Sequence, residues 1–332
     1  MILVVLVVIP VAVVLLLSSS SAGLSGPTQE ALSENARFAV DLSRLCHAEF
    51  DANGPFGKMS QIEFHSSRAL SPKPAFLWNQ LTTKFSLQQD MQDDDLPLLR
   101  GSWEVDSFDW RDQGAVSKEV HDQGSLGTCA AFATVGNIEA RRYLNGDGVL
   151  ETLSVEQIVE CSADADTAQD AANCGVFGGW PKLVLEYAKK RGIASAKDWP
   201  YCSGTLDKKM TPQCFPCMPE GYSREGCDDH DDDFYCKPES TLGQRRIDGW
   251  CGHKSSFRPA LFVTEYKVFD DTSDEERLRE HLRTYGPLAV TISIGPLQLY
   301  RRGIMDPPSF ICPRRGRPGE LLCSMIFAVS CQ

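Results

Sequence analysis

The sequence is poor in basic residues and has no apolar run of the length usual for a membrane span. Its 332 residues include 33 lysines and arginines against 45 aspartates and glutamates, which gives a formal net charge of −12. A nucleic-acid-binding surface needs excess positive charge to meet the phosphates, so this balance argues against nucleic acid as a partner. The longest apolar run covers residues 2–17, whereas a membrane-spanning helix needs about 20 apolar residues.

The apolar run at the N-terminus is typical of a signal peptide. It is followed by the small residues Ser20, Ser21 and Ala22, at which a signal peptidase could cut. No lysine or arginine precedes the run, and the alternative is that it is retained as a membrane anchor. We interpret residues 1–22 as a signal peptide and expect no other membrane contact. The chain is then expected in the secretory pathway, either secreted or delivered to a lysosome or vacuole.

The 13 cysteines favour an oxidising compartment, where disulfides persist. Because their number is odd, at least one thiol has no disulfide partner within the chain. Many of them fall in a stretch rich in Gly, Pro and Asp, which we interpret as a cysteine-rich insertion over residues 202–255. Cys214 and Cys217 have a spacing that zinc sites also use, but disulfides are the better interpretation in a secreted chain. We therefore predict no metal and no cofactor.

Helix caps and apolar periodicity predict the secondary structure after residue 105. Ser154 and Gln157 have the spacing of a capping box, and Pro181 is placed for the first turn of a helix that stops at Gly192. Helices followed by strands in this order predict the α+β class. The predicted helices cover residues 129–144, 154–161, 181–192 and 273–286, and the predicted strands cover 262–269 and 287–294.

The segment DQGSLGTCAAF, residues 122–132, places a cysteine at the start of the first of these helices. Cys129 would lie where backbone N–H groups and the helix dipole favour a thiolate. Gly124 and Gly127 let the backbone approach a substrate closely, and the Gln123 side chain with the Cys129 backbone N–H could form an oxyanion hole. An isolated cysteine is more often simply a small buried residue. The combination instead predicts acyl transfer, with Cys129 as nucleophile and Gln123 as an oxyanion-hole donor.

Six segments follow one another along the chain: SFDWRDQGAVSKEVHDQGSLGTCAAF (107–132), LSVEQIVEC (153–161), NCGVFGGW (173–180), DWPYC (198–202), GPLAVTI (286–292) and LQLYRRGI (297–304). In this order they resemble the papain family of cysteine peptidases, of the cathepsin type. The resemblance implies an α+β fold with a helical lobe over residues 106–201 and a β-barrel-like lobe over 256–332. It also implies that Gly178 and Gly179 line the substrate groove and that residues 23–105 form a propeptide.

The same resemblance bears on the cysteines. It implies a disulfide between Cys161 and Cys202. Leu126 stands where the family usually has a cysteine that pairs with the one matching Cys174. Cys174 is therefore expected to be free or paired elsewhere. Ala130 replaces the large aromatic residue that usually follows the nucleophile.

A cysteine nucleophile also needs an imidazole that holds the thiolate and protonates the leaving amine. His281 has about the usual separation from Cys129, but it lies in a predicted helix before the strand 287–294, and we interpret it as a surface or packing residue. Aligning the C-terminal CSMIFAVSC with the family's histidine-bearing strand puts Ser324 in the histidine's place. The chain then resembles a family member truncated before or at the catalytic-histidine region, with an incomplete β-rich lobe.

Two functions are compatible with these features. The family-level expectation is a secreted or lysosomal cysteine peptidase, made as a zymogen, that attacks peptide carbonyls through Cys129. Because no general-base histidine is found, we expect the chain as written to hydrolyse peptides poorly or not at all. The alternative is a catalytically inactive papain-fold protein that binds peptides or proteins in its groove. In both cases the expected partner is a peptide or protein, and the chain is expected to be a monomer.

Overall fold

The computed structural model describes residues 29–61, 64, 108–124, 126–146, 148–166, 171–203, 219, 222, 223, 227, 258–269, 275–293, 295–305 and 322–327. Within those ranges, none of the helices combines the length and the apolar character that a membrane crossing requires. The predicted signal peptide and most of the predicted insertion lie outside the described residues, so both stay predictions.

The described elements are helices with short strands between and after them. The strands of this part of the chain pair antiparallel as β1 with β5, β2 with β3 and β4 with β6. Short 3₁₀ turns cover Gly175–Phe177 and Gly295–Leu299. The elements are α1 (Gln29–Leu45), β1 (Ala48–Phe50), α2 (Cys129–Asn145), α3 (Val155–Cys161), β2 (Ala165–Asp166), β3 (Ala171–Ala172), α4 (Pro181–Arg191), α5 (Glu275–Tyr285), β4 (Leu288–Ser293), β5 (Tyr300–Gly303) and β6 (Leu322–Phe327).

A core forms where α2, α3 and α4 meet. Ala131, Val135 and Ile138 of α2 recur at helical spacing and are buried together with apolar residues of α3 and α4. Gln157 of α3 lies inside this core. Its Oε1 accepts a hydrogen bond from the Ala194 backbone N at 2.7 Å, so its amide ties α3 to the segment that follows α4.

The predicted ends of α2, α3 and α4 are confirmed to within one residue, but the capping differs in detail. The Gln157 backbone N donates to Ser154 Oγ at 3.0 Å, as a capping box requires. The return bond of the box is replaced, because Gln157 Oε1 accepts from the Ala194 backbone N and the Ser154 backbone N donates to the Ala194 carbonyl at 2.9 Å. Thr128 precedes α2 but makes no side-chain cap bond. Gly192 ends α4 with a φ of 76°, and an added Cβ there would lie 2.6 Å from the Pro259 Cβ.

The strand predicted over residues 262–269 is wrong. Leu261 forms an isolated bridge with Ile193, and the following residues are described without strand structure. The segment runs along α4 instead, since the Val263 backbone N approaches the Ala188 carbonyl at 3.4 Å and the Tyr266 hydroxyl donates to Glu186. The β-branched and aromatic residues that suggested a strand therefore belong to a segment that contacts a helix.

Helix α2 is also tied to α5 and to the β4–β6 pair. Its Asn137 and Arg141 side chains donate to the backbone carbonyls of Pro287 and Tyr285, and both β4 and β6 contact α2. In the β4–β6 pair, Thr291 lies opposite Ser324. The strand that carries Ser324 is thus placed against the helix that begins at Cys129.

The N-terminal described segment, residues 29–61, docks on residues 295–305. Strand β1 pairs with β5, the Asp51 backbone N donates to the Leu299 carbonyl at 2.8 Å, and Gln298 Nε2 donates to the Met59 carbonyl at 2.8 Å. Apolar side chains, including Leu42 and Leu299, are buried between the two segments. This contact joins residues some 250 positions apart, so it is a feature of the tertiary structure.

A buried carboxyl on α2 predicts pH-dependent stability. Glu139 accepts a hydrogen bond from the Leu153 backbone N at 2.6 Å, and burial raises its pKa from 4.5 to about 7. Because the folded pKa is the higher one, this contribution to stability is complete below pH 4.5 and is lost as the pH rises through 7. We expect the free energy of unfolding to fall by about 3 kcal/mol from this group over that range.

Urea unfolding at pH 5 and pH 8 checks this expectation. Glu139→Gln keeps an oxygen that can accept the Leu153 bond and cannot ionise, so it should remove most of the difference between the two pH values. Equal pH dependence in the wild type and in Glu139→Gln would contradict it.

Candidate active site

The loop that leads into α2 is held by backbone bonds at both of its glycines. The Gly124 N donates to Asp122 Oδ1 at 2.8 Å, and Gly124 has a φ of 70°, which favours glycine. The Gly127 N donates to the Val176 carbonyl at 2.8 Å. The loop therefore lies against the 3₁₀ turn that precedes the predicted groove glycines.

Cys129 is the first residue of α2 and retains a thiol. The helix terminus confirms the predicted location, where N–H groups and the dipole favour a thiolate. Its side chain is nevertheless buried, with the residue only 2% exposed. Burial disfavours the anion, so the helix terminus and the surroundings act on the thiol in opposite directions.

Gln123 lies at the other end of the same loop and is partly buried. Its Nε2 donates to the Leu126 carbonyl at 2.6 Å, within the loop itself. A carboxamide nitrogen carries two N–H groups, so this bond uses one and leaves a second for a ligand. Its role as an oxyanion-hole donor remains a proposal.

The structure brings the predicted groove glycines next to the start of α2. A Cβ added at Gly179 would lie 3.8 Å from the Ala130 Cβ and 2.7 Å from Asn173 Oδ1. Gly178 has a φ of 127°. The tight approach explains why glycine suits position 179, because any side chain there would collide with Asn173.

Sequence reasoning missed Asn173, a buried residue that fixes this backbone. Its Oδ1 accepts from the Trp180 backbone N at 2.9 Å, and its Nδ2 donates to Ser162 Oγ at 2.6 Å. Only its position beside Cys174 in the segment NCGVFGGW could have drawn attention to it. Its amide links the end of α3 to the residue that follows the two groove glycines.

The cysteines next to the site are oxidised. Cys174 is bonded to Cys227 with an S–S distance of 2.00 Å, which agrees with the expectation that it pairs elsewhere than at position 126. Cys161 and Cys202 are both disulfide-bonded, as their predicted pairing requires. Cys227 belongs to the predicted insertion, so this bridge fastens the insertion to the turn that holds Gly127.

One group of side chains has the composition of a metal site, formed by Glu156, Glu160 and Cys202. Thiolate sulfur, not disulfide sulfur, is the metal ligand that cysteine provides, and Cys202 is in a disulfide. The Glu156 carboxylate instead accepts from the Cys202 and Ser203 backbone N atoms at 2.9 and 3.1 Å. Cys202 and Glu156 are therefore already used, in a disulfide and in hydrogen bonds to the backbone.

The described histidines differ in their surroundings. His281 on α5 is buried and stacks on Phe269 with ring centroids 3.8 Å apart, which matches its interpretation as a packing residue. His121 is exposed, and its ring centroid lies 6.2 Å from that of Phe132. Ser324 lies in β6, the strand that pairs with β4 and contacts α2.

Comparisons with known proteins agree with this geometry. A family model described as "Papain family cysteine protease" matches residues 105–315. Cysteine proteinase 1 of Zea mays is 30% identical over 229 residues, covering 68% of this chain and 48% of that protein. Cysteine proteinase 15A of Pisum sativum is 28% identical over 282 residues, covering 84% of this chain and 62% of that protein. The chain thus spans only about half to three-fifths of the length of these relatives.

Solved structures support the fold. The digestive procathepsin L2 proteinase from Tenebrio molitor larval midgut superposes with a TM-score of 0.53 at 21% identity, covering 89% of this chain and 76% of that chain. This likeness confirms the predicted papain-like α+β fold. Because the family match extends over more than half of the chain, the protein belongs to the papain family of cysteine proteases.

Proposed function

We propose that this protein is the precursor of a papain-type cysteine peptidase whose nucleophile is Cys129, and that it cleaves peptides poorly because Ser324 stands at the aligned histidine position. One observation carries the proposal: Cys129 opens α2 at the end of the loop that contains Gln123. The adjacent residue, Ala130, lies beside Gly179. The proposal takes Cys129 as the nucleophile, its backbone N–H and the Gln123 amide as the two oxyanion donors, and Gly178 and Gly179 as the lining of the adjacent groove.

In the proposed reaction the Cys129 thiolate forms a C–S bond to the peptide carbonyl carbon. The π electron pair moves to the carbonyl oxygen, where the Cys129 backbone N–H and the Gln123 amide would stabilise it. Collapse of this intermediate breaks the C–N bond, and the leaving amine takes up a proton. Water then hydrolyses the thioester. The proton for the leaving amine needs a general acid, the role that the family gives to histidine and for which the aligned position carries Ser324.

The N-terminal segment supports a zymogen. We assign residues 23–105 to a propeptide, of which the described part, 29–61, docks on residues 295–305 through the β1–β5 pair. Glu49 forms a two-bond ion pair with Arg302 at 2.8 Å, and this bonding holds the pKa of Glu49 below its ordinary value. Asp51 pairs with Arg301 at 3.3 Å in the same contact. Asp51 likewise has a lowered pKa, because the backbone N–H of Asn53 donates to its carboxylate. Both carboxylates therefore stay ionised in a mildly acidic compartment, and the ion pairs would weaken only at a still lower pH.

Specific observations also favour the second candidate, a papain-fold protein that binds peptides or proteins without cleaving them. Cys129 is 2% exposed, Gln123 uses an N–H within its own loop, and Ser324 stands at the aligned histidine position. These features keep the predicted groove glycines but weaken the nucleophile, the oxyanion hole and the acid–base step. The proposed partner is a peptide or protein segment in both cases, bound by a monomer that is secreted or delivered to a lysosome or vacuole.

Thiol labelling separates the two candidates. At mildly acidic pH, iodoacetamide and a peptidyl epoxide should label Cys129 faster than an ordinary thiol if the helix terminus holds it as an anion. Cys46, which also retains a thiol and is buried, provides the matched control. Label lost in Cys129→Ala but kept in Cys46→Ala supports the peptidase. Labelling of Cys129 at the rate of a free thiol supports the binding protein.

A further inference from the structure

The hydroxyl of Tyr201 contacts both ends of the loop between Gln123 and Cys129. It donates to the Gln123 backbone carbonyl at 2.8 Å, and it lies 3.0 Å from Thr128 Oγ1. Thr128 immediately precedes Cys129, and its side chain makes no cap bond to α2. The Tyr201 hydroxyl thus links Gln123, whose side chain is the proposed amide donor, to Thr128, the residue before Cys129.

Tyr201 itself is held by elements outside the loop. The next two backbone N–H groups, of Cys202 and Ser203, donate to the wholly buried Glu156 carboxylate on α3. Cys202 is disulfide-bonded. The Tyr201 ring packs edge-on against Phe132 of α2, with centroids 4.7 Å apart. The position of the hydroxyl is therefore fixed by elements outside the loop. The loop itself contains two glycines, which leave its backbone conformationally free.

We propose that Tyr201 is a positioning residue that sets the separation of the two oxyanion-hole donors, the Gln123 amide and the Cys129 backbone N–H. The proposal rests on the proposed function. An oxyanion hole is effective only when its donors are already in place before charge develops. With its ends tied to one hydroxyl, the loop cannot drift apart when Gln123 turns an N–H towards a ligand. Without the hydroxyl, the ring contact with Phe132 would remain and the loop ends would be released.

The test uses Tyr201→Phe, which removes only the hydroxyl. Tyr187→Phe is the matched control, because the Tyr187 hydroxyl also accepts a buried hydrogen bond, from Gln157, but lies in the core and outside this loop. Hydrogen exchange of residues 123–129 reports whether the loop is released. Affinity for a peptide aldehyde, whose adduct oxygen occupies the oxyanion hole, reports donor placement. The iodoacetamide rate reports the thiol alone, since alkylation creates no oxyanion.

In Tyr201→Phe we expect faster exchange over 123–129, about tenfold weaker aldehyde affinity and an unchanged iodoacetamide rate. Tyr187→Phe should leave the loop exchange and the aldehyde affinity unchanged. In a Gln123→Ala background, Tyr201→Phe should cost much less affinity, because one of the donors it positions is gone.

Three results would contradict the proposal, and each has a different meaning. If hydrogen exchange over residues 123–129 is unchanged in Tyr201→Phe, Tyr201 does not position the loop, whether or not the protein is a peptidase. An equal loss of affinity with and without Gln123 shows that the hydroxyl acts elsewhere. A wild-type protein that forms no aldehyde adduct overturns the proposed peptidase and the oxyanion role together, and this failure differs from loss in the variant alone.

Discussion

Replacing Ser324 with histidine is expected to raise Cys129-dependent peptide turnover by about 10²- to 10⁴-fold, the usual contribution of a positioned acid–base group. The wild type should turn over a dipeptidyl fluorogenic substrate little faster than Cys129→Ala. The reason is positional: β6 pairs with β4 with Ser324 opposite Thr291, and both strands contact the helix that Cys129 begins. An imidazole at this strand position would restore the group that the family uses to hold the thiolate and protonate the amine.

Controls separate base chemistry from packing. Ser324→Gln adds a polar side chain of similar size that cannot carry a proton at neutral pH, and it should gain nothing. Cys129→Ala in the Ser324→His background should abolish the gain. The pH dependence of the active variant should become bell-shaped, with limits set by the thiol and the imidazole. Strong Cys129-dependent turnover by the wild type would show that another residue already supplies the base.

Replacing Glu156 with alanine is expected to lower the free energy of unfolding by about 4 kcal/mol. Glu156 is 0% exposed, and its carboxylate accepts bonds from the Cys202 and Ser203 backbone N atoms and from the Ser203 hydroxyl. Truncation leaves these donors without an acceptor and opens a cavity beneath the segment that carries Tyr201. The expected fall in the melting temperature is roughly 10 °C, measured by calorimetry with the disulfides intact.

Glu156→Gln should lose much less stability, since it keeps one oxygen acceptor and most of the volume. Asp112→Ala provides a surface control, because Asp112 pairs with Lys118 at 3.5 Å while both side chains are more than 70% exposed. That pair should contribute at most about 1 kcal/mol. Similar losses in Glu156→Ala and Asp112→Ala would show that the Glu156 cluster does not stabilise the fold.

Local signals predicted the helices well for a physical reason. The end of α2 at Asn145, the Ser154 cap and the stop at Gly192 each depend on residues within one or two turns of one another. The strand predicted at 262–269 failed because its apolar residues meet a helix and a buried histidine from distant parts of the chain. Periodicity shows that a side chain is buried, and it does not show which element buries it.

The candidate site was likewise predictable only in part from the sequence. Cys129 at a helix start and Gln123 in the preceding loop were visible in a single segment of eleven residues, DQGSLGTCAAF. The burial of Cys129 and the bond from Gln123 to Leu126 were not, because both depend on how that loop folds back. The sequence also did not single out Asn173 or Tyr201. Their side chains act on backbone groups 7 and 78 positions away.

By itself, the sequence determined the local features of the candidate site, since a cysteine at the first turn of a helix with glycines before it is a property of adjacent residues. It also determined that Cys174 could not pair at position 126. Only the tertiary structure decided that Cys174 pairs with Cys227, that Gly179 lies against Asn173, and that one tyrosine hydroxyl bridges the loop. These contacts join segments that are distant in sequence, and local propensity carries no information about which distant segments meet.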